Sequence, residues 1–180
     1  MFLKKQNYLQ KVFIYTDASF NPSEGFASSG FLFFASEIEH QSSTILESSI
    51  EIQSFKVKNN IRAEIIGANH CLKRLIDEIK LLDIEAKNLE INLYSDCQTL
   101  TNLLFRREKL TANNYISGKK KTELANADLY KIFYLIYDEL KPNIFWVRGH
   151  SKSENQSLQQ KNFQIIDRLV RKELRGKSEH

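Results

Sequence analysis

The spacing of apolar residues changes along the chain, and each change marks an element. Residues 12–17, Val-Phe-Ile-Tyr-Thr-Asp, form a short β-rich apolar run that ends in a carboxylate, the pattern of a strand buried on both faces. Asn21, Pro22 and Gly25 then supply turn chemistry. Gly30 to Phe34 predicts a second strand, and the alternation from Ile50 to Val57 a third. From Arg62 to Lys80 the period becomes helical, with Ile65, Ala68, Leu72, Leu75, Ile76 and Ile79 on one stripe. Ile91 to Ser95 is another buried strand, directly followed by Asp96. Leu100, Leu103 and Leu104 predict a helix over Thr99 to Phe105. Leu129, Ile132, Phe133, Ile136 and Leu140 mark a further helix that Pro142 terminates. Residues 144–148 read as a fifth strand, and Phe163, Ile166, Leu169, Val170 and Leu174 as a last helix.

The resulting order is β-β-β-α-β-α-α-β-α. Three leading strands suit an antiparallel meander, whereas strands separated by helices suit parallel crossover pairing. The expectation is an α/β fold with a mixed five-stranded sheet and helices packed on it. No repeat or linker divides the chain, so residues 1–180 are read as one domain with residues 1–10 as a flexible N-terminus.

Composition narrows the class. A hydrophobic share of 42% with 27% charged residues matches an ordinary folded domain and leaves no apolar stretch near the roughly 18 residues of a membrane span. The N-terminus carries no run suited to a signal peptide, and two unpatterned cysteines, Cys71 and Cys97, make neither a disulfide framework nor a zinc site. A cytoplasmic protein with no membrane association is therefore expected, and it is read as a monomer. The net charge of +4 leans mildly toward polyanions, but its distribution is more telling. Arg106, Arg107, Lys109, Lys119, Lys120 and Lys121 crowd one segment, and Lys161, Arg168, Arg171, Lys172, Arg175 and Lys177 another. A solvated face is the plainer reading of either group.

Asp17 and Asp96 each close a predicted buried strand, Glu64 opens the first long helix, and Asp167 lies in the last. If the two strands are parallel neighbours, both aspartates emerge at the sheet edge where open α/β sheets place ligands. Four converging acids repel one another unless hard divalent cations compensate them, and Mg²⁺ favours such oxygen donors. Two ions roughly 4 Å apart suit hydrolysis of a phosphodiester. Taken singly, each acid also reads as a turn residue, a helix-dipole partner or, for Asp167, an ion-pair partner of Arg171.

The order of the motifs resembles that of type 1 ribonucleases H. The string from Val12 to Phe34 resembles that family's first hairpin. Asn60, Arg62 and Glu64 resemble its Asn-Asn-Arg-Met-Glu turn, and Asp96 with Gln98 its Thr-Asp-Ser-Gln element. Asn126, Asp128 and Leu129 resemble its Asn-Val-Asp-Leu-Trp helix start, and Trp146 to His150 is similar to its Trp-Val-Lys-Gly-His. Asp167 falls where the fourth metal carboxylate of the family is expected. The likeness spans residues 12–175.

The resemblance implies a ribonuclease H-like fold and a metal-dependent endonuclease that hydrolyses the RNA strand of RNA·DNA hybrids, leaving 5′-phosphate and 3′-hydroxyl ends. Asp17, Glu64, Asp96 and Asp167 would hold Mg²⁺, with Mn²⁺ as the alternative ion, and His150 would assist proton transfer or product release. Asn60, Arg62 and Gln98 would meet the hybrid, Asn60 and Gln98 at the minor groove where the 2′-hydroxyl separates RNA from DNA. Arg106, Arg107, Lys119, Lys120 and Lys121 fall where many members carry a basic protrusion that grips the DNA strand. The chain departs from the family pattern in Ala18 of Asp17-Ala18-Ser19, in Ile61, which replaces a polar turn residue, and in a longer segment between His150 and Asp167. Two alternatives stay open: a nuclease of the same fold acting on double-stranded RNA or branched DNA, and a non-catalytic nucleic-acid-binding or interaction module.

Overall fold

The computed structural model describes residues 9–35, 47–149 and 156–177. Its five strands are β1 (Gln10–Asn21), β2 (Phe26–Ala35), β3 (Glu51–Lys56), β4 (Leu89–Ser95) and β5 (Asn143–Trp146). The helices are α1 (Asn60–Leu81), α2 (Gln98–Thr101), α3 (Leu103–Ala112), α4 (Ala127–Leu140) and α5 (Leu158–Lys177). The sheet order is β3-β2-β1-β4-β5. β1, β2 and β3 pair antiparallel, while β1–β4 and β4–β5 pair parallel, as the element order requires.

Alternation along β1 sorts the core into two layers. Val12 and Ile14 face α1 and α4 and pack with Leu72, Leu75 and Phe133. Phe13 and Tyr15 face α5 and pack with Phe163, Ile166 and Val170. The sheet is thus covered on both faces, and its fully buried strands lose the polar alternation of a half-exposed sheet.

Several boundaries differ from the sequence expectation. β1 runs beyond Asp17 to Asn21, and β2 begins at Phe26, with Asp17 paired to Gly30 and Ser19 to Ser28. Small residues such as Ala18, Ser28, Ser29 and Gly30 carry little hydrophobic signal, yet backbone pairing does not need one. At the other end, Gln10 already opens β1 and is buried, so the flexible start expected over residues 1–10 does not include it. The helix expected over 99–105 is two pieces that meet at Asn102, and the second continues through Arg106, Arg107 and Lys109 to Ala112.

α5 starts at Leu158, inside the segment that read as inserted loop. Its start is closed reciprocally: the Gln160 N–H donates to Ser157 Oγ at 3.2 Å, and the Ser157 N–H to Gln160 Oε1 at 2.9 Å. Ser-x-x-Gln is the capping-box pattern, a signal that hydrophobic spacing alone passes over.

Candidate metal centre and nucleic-acid face

The site forms where β1 outlives its parallel partner. The β1–β4 ladder ends with Tyr15 opposite Tyr94, and β4 itself ends at Ser95. Two residues further along each chain, Asp17 and Asp96 stand at the same level. Below them, Tyr15 and Tyr94 stack at 5.0 Å, and Phe145 continues the stack at 5.1 Å from Tyr94. This aromatic stack lies beneath the strand ends that carry Asp17 and Asp96.

Glu64 reaches the same edge from α1. Asn59 caps that helix, its side chain accepting the Arg62 N–H at 2.9 Å. One turn beyond Glu64, Gly67 lets the helix settle onto the sheet: a Cβ there would lie 2.9 Å from the Ser29 Cβ. Asp17, Glu64 and Asp96 each bring a carboxylate oxygen into one group within 4.8 Å. Asp17 and Glu64 are buried.

Asp167 stands outside that trio but touches it. It lies four residues after Phe163 and three before Val170, on the stripe with which α5 meets the sheet. Its proximity helps to raise the Asp17 carboxyl, and it accepts Arg171 Nε at 2.8 Å. The structure thus clusters three of the four sequence-predicted acids and sets the fourth near Asp17, paired with Arg171 as the i,i+4 spacing anticipated.

Electrostatics follow from this crowding. The Asp17 carboxyl is pushed well above the usual carboxylate range by burial first, then by Asp96 and Asp167. Glu64 is pushed up by burial, then by Asp17 and Asp96. Asn60 donates to Glu64 Oε1 at 3.4 Å, a long bond, and Glu64 Oε2 has no protein partner among the described residues. A buried carboxylate oxygen left unpaired is costly, and a hard cation is the partner such an atom lacks. Cys97 contributes no thiolate, since burial and Glu64 push its thiol up to about 12. The donor set is all oxygen, which suits a hard divalent cation.

The expected nucleic-acid contacts divide. Asn60 and Gln98 are exposed, one at the start of α1 and the other two residues after Asp96. Arg62 is engaged elsewhere: its guanidinium donates to both Asp128 oxygens, at 2.9 and 2.6 Å, and to the Ala125 carbonyl at 3.1 Å. Arg107 forks onto Asp138 at 2.7 and 2.5 Å, while Arg106 lies 5.8 Å from the centre of the Tyr130 ring. Lys119, Lys120 and Lys121 project from an exposed turn closed by Ser117, whose N–H donates to the Thr122 carbonyl at 2.8 Å. His150 lies outside the described residues.

Sequence reasoning missed two residues that touch Asp96. Trp146 donates its indole N–H to the Asp96 carbonyl at 3.1 Å. Gly149 packs so closely that a Cβ would lie 2.5 Å from Asp96 Oδ2. The resemblance of residues 146–150 to a family motif pointed at this segment, but no local pattern indicates which of its atoms meet Asp96.

Comparison of the fold finds matching architecture in known structures. LC9-RNase H1, a type 1 RNase H with the type 2 active-site motif, aligns with a TM-score of 0.66 at 14% identity, over 93% of this chain and 74% of its own. RNase H1 from the halophilic archaeon Halobacterium salinarum aligns with a TM-score of 0.55 at 14% identity, over 92% and 98%. A foamy viral protease-reverse transcriptase, solved in complex with RNA/DNA hybrid, aligns with a TM-score of 0.61 at 10% identity, over 92% of this chain and 20% of its own. No curated protein matches by sequence. The RNase H family profile matches residues 9–175, the span that holds all five strands and all four acids. The chain belongs to the RNase H family and is a hydrolase of the ribonuclease H type.

Proposed function

We propose that the protein is a Mg²⁺-dependent endonuclease that cuts the RNA strand of RNA·DNA hybrids at this sheet edge. The observation that carries the reading is the trio itself: carboxylates from a strand, a helix and a strand-following turn within 4.8 Å, with a buried Glu64 oxygen left unpaired. Asp17, Glu64 and Asp96 would hold the ion, and Asp167 would extend the set through its contact with Asp17. When bound, divalent ions supply Lewis acidity and an activated water for hydrolysis of a phosphodiester.

The chain's own residues do the rest. Asp17 and Glu64 are buried, so charge interactions at these two carboxylates are screened less than at the surface. Asn60 and Gln98, exposed at the rim, would face the minor groove and its 2′-hydroxyls. Lys119, Lys120 and Lys121 would meet backbone phosphates. His150 is assigned proton transfer or product release. The hybrid complex of the foamy viral protein supports the choice of substrate.

The test is incubation with Mg²⁺ and matched labelled hybrid, RNA duplex and DNA duplex. Cleavage of the hybrid's RNA strand alone, leaving 5′-phosphate ends, is expected. Comparable cleavage of the DNA duplex would remove the protein from this substrate class.

A further inference from the structure

Of the three clustered carboxylates, Asp96 is the one carried by neither strand nor helix. It follows the last residue of β4 and precedes α2, so no ladder or helical turn fixes its backbone. The end of β5 and the residues after it take over that task. The Val147 N–H donates to the Ser95 carbonyl at 3.0 Å, which extends the β4–β5 pairing beyond Trp146. The Trp146 indole then bonds the Asp96 carbonyl at 3.1 Å. Ser95 Oγ accepts the Cys97 N–H at 3.1 Å, which pins the turn from the other side. Finally Gly149 presses on the carboxylate itself, leaving no room for a methyl group beside Oδ2.

We propose that Trp146 and Gly149 are positioning residues for Asp96: the indole fixes its backbone, and the bare Cα of Gly149 walls its carboxylate toward Asp17 and Glu64. Trp146 is half exposed, so a stabilising role through burial is small and the indole N–H is its distinctive contribution. Gly149 works by the absence of a side chain, since a Cβ there would lie 2.5 Å from Asp96 Oδ2. Residues that orient metal-holding groups in this way are typically worth about tenfold to a hundredfold in metal affinity or activity.

The inference rests on reading Asp96 as a metal-holding carboxylate, and its test separates the two. Mn²⁺ binding is followed by calorimetry, and kcat and KM are measured on a hybrid, for wild type, Asp96→Asn, Trp146→Phe and Gly149→Ala. Trp146→Phe keeps the ring and removes only the donor. It is expected to weaken Mn²⁺ binding and lower kcat by about tenfold, with KM for the hybrid unchanged. Wild-type Mn²⁺ affinity and kcat in Trp146→Phe would overturn the indole's role. So would a rise in KM alone, since the indole would then be meeting nucleic acid. Gly149→Ala should lower the unfolding midpoint in wild type but not in an Asp96→Ala background, where the clashing atom is gone. A cost that persists there would overturn the wall. Wild-type Mn²⁺ binding in Asp96→Asn would instead sink the reading of the site.

Discussion

Arg62, in the first turn of α1, holds Asp128, in the first turn of α4, through a two-pronged ion pair at 2.9 and 2.6 Å. The same guanidinium also bonds the Ala125 carbonyl at 3.1 Å, so it ties the helix that carries Glu64 to the segment that leads into α4. Asp128 complements the positive end of the α4 dipole as well. Its carboxyl is held below the usual range, chiefly by the hydrogen bonds from Arg62.

A guanidinium so occupied has little left for phosphate. Arg62→Ala and Asp128→Asn should therefore lower the unfolding midpoint by similar, small amounts, below about 1 kcal/mol because the pair is partly solvated. Hybrid KM should stay unchanged in both. The contribution of a depressed carboxylate is present above its unfolded pKa and fades as pH falls through the folded one. The gap between wild type and Asp128→Asn should accordingly close below the ordinary carboxylate range. A KM that rises in Arg62→Ala but not in Asp128→Asn would return Arg62 to the nucleic-acid face.

The carboxylate cluster has the opposite sign. Asp17 and Glu64 are raised in the folded state, so the metal-free native protein binds more protons than the unfolded chain once pH passes the ordinary carboxylate values. Stability in chelator should fall as pH rises through that window and level off once both groups ionise. Asp17→Asn should flatten the fall and raise the neutral-pH midpoint, and Mg²⁺ should stabilise wild type far more than the variant. Cleavage by Asp17→Asn or Asp96→Asn should drop by about a thousandfold or more, the worth of several kcal/mol of charge stabilisation. Melting curves against pH, with and without Mg²⁺, check the first part, and an Asp96→Asn enzyme with wild-type turnover would refute the second.

The lysines of the exposed turn give an electrostatic prediction. Replacing Lys119, Lys120 and Lys121 with alanine should weaken hybrid binding and flatten its log–log salt dependence by about 0.9 per lost phosphate contact. Turnover at saturating hybrid should change little, because the turn bears none of the clustered acids. Binding titrations from low to moderate salt settle the matter: an unaltered slope means these charges are solvated and nothing more.

Substrate choice depends on Ile61, which is 44% exposed at the start of α1. Its side chain cannot hydrogen-bond, so one polar contact expected of this turn is missing and Asn60 and Gln98 must carry the discrimination. Cleavage should require a run of ribonucleotides rather than a single one. A DNA duplex with four embedded ribonucleotides should be cut much faster than one with a single ribonucleotide. Equal rates on the two would show that one 2′-hydroxyl suffices.

Much of this protein is written in local pattern. The 2-to-3.6 switch in apolar spacing after Arg62, the short buried run before Asp96 and the acid on the apolar stripe of α5 are all visible along the chain, because burial follows element geometry. From them come the element order, the mixed sheet and the four acids. The capping box of Ser157 and Gln160 is also a contact between near neighbours, but apolar spacing passes over it and the segment read as loop. What only the tertiary structure decided are relations between residues distant in sequence. Parallel register sets Asp17 level with Asp96, helix settling at Gly67 lowers Glu64 to them, and Gly149 lies against Asp96 from far along the chain. The same holds for Arg62 and Asp128, whose pairing joins the starts of two helices far apart in sequence. Such distances depend on strand pairing and helix packing over the whole domain, and no window of sequence contains both partners.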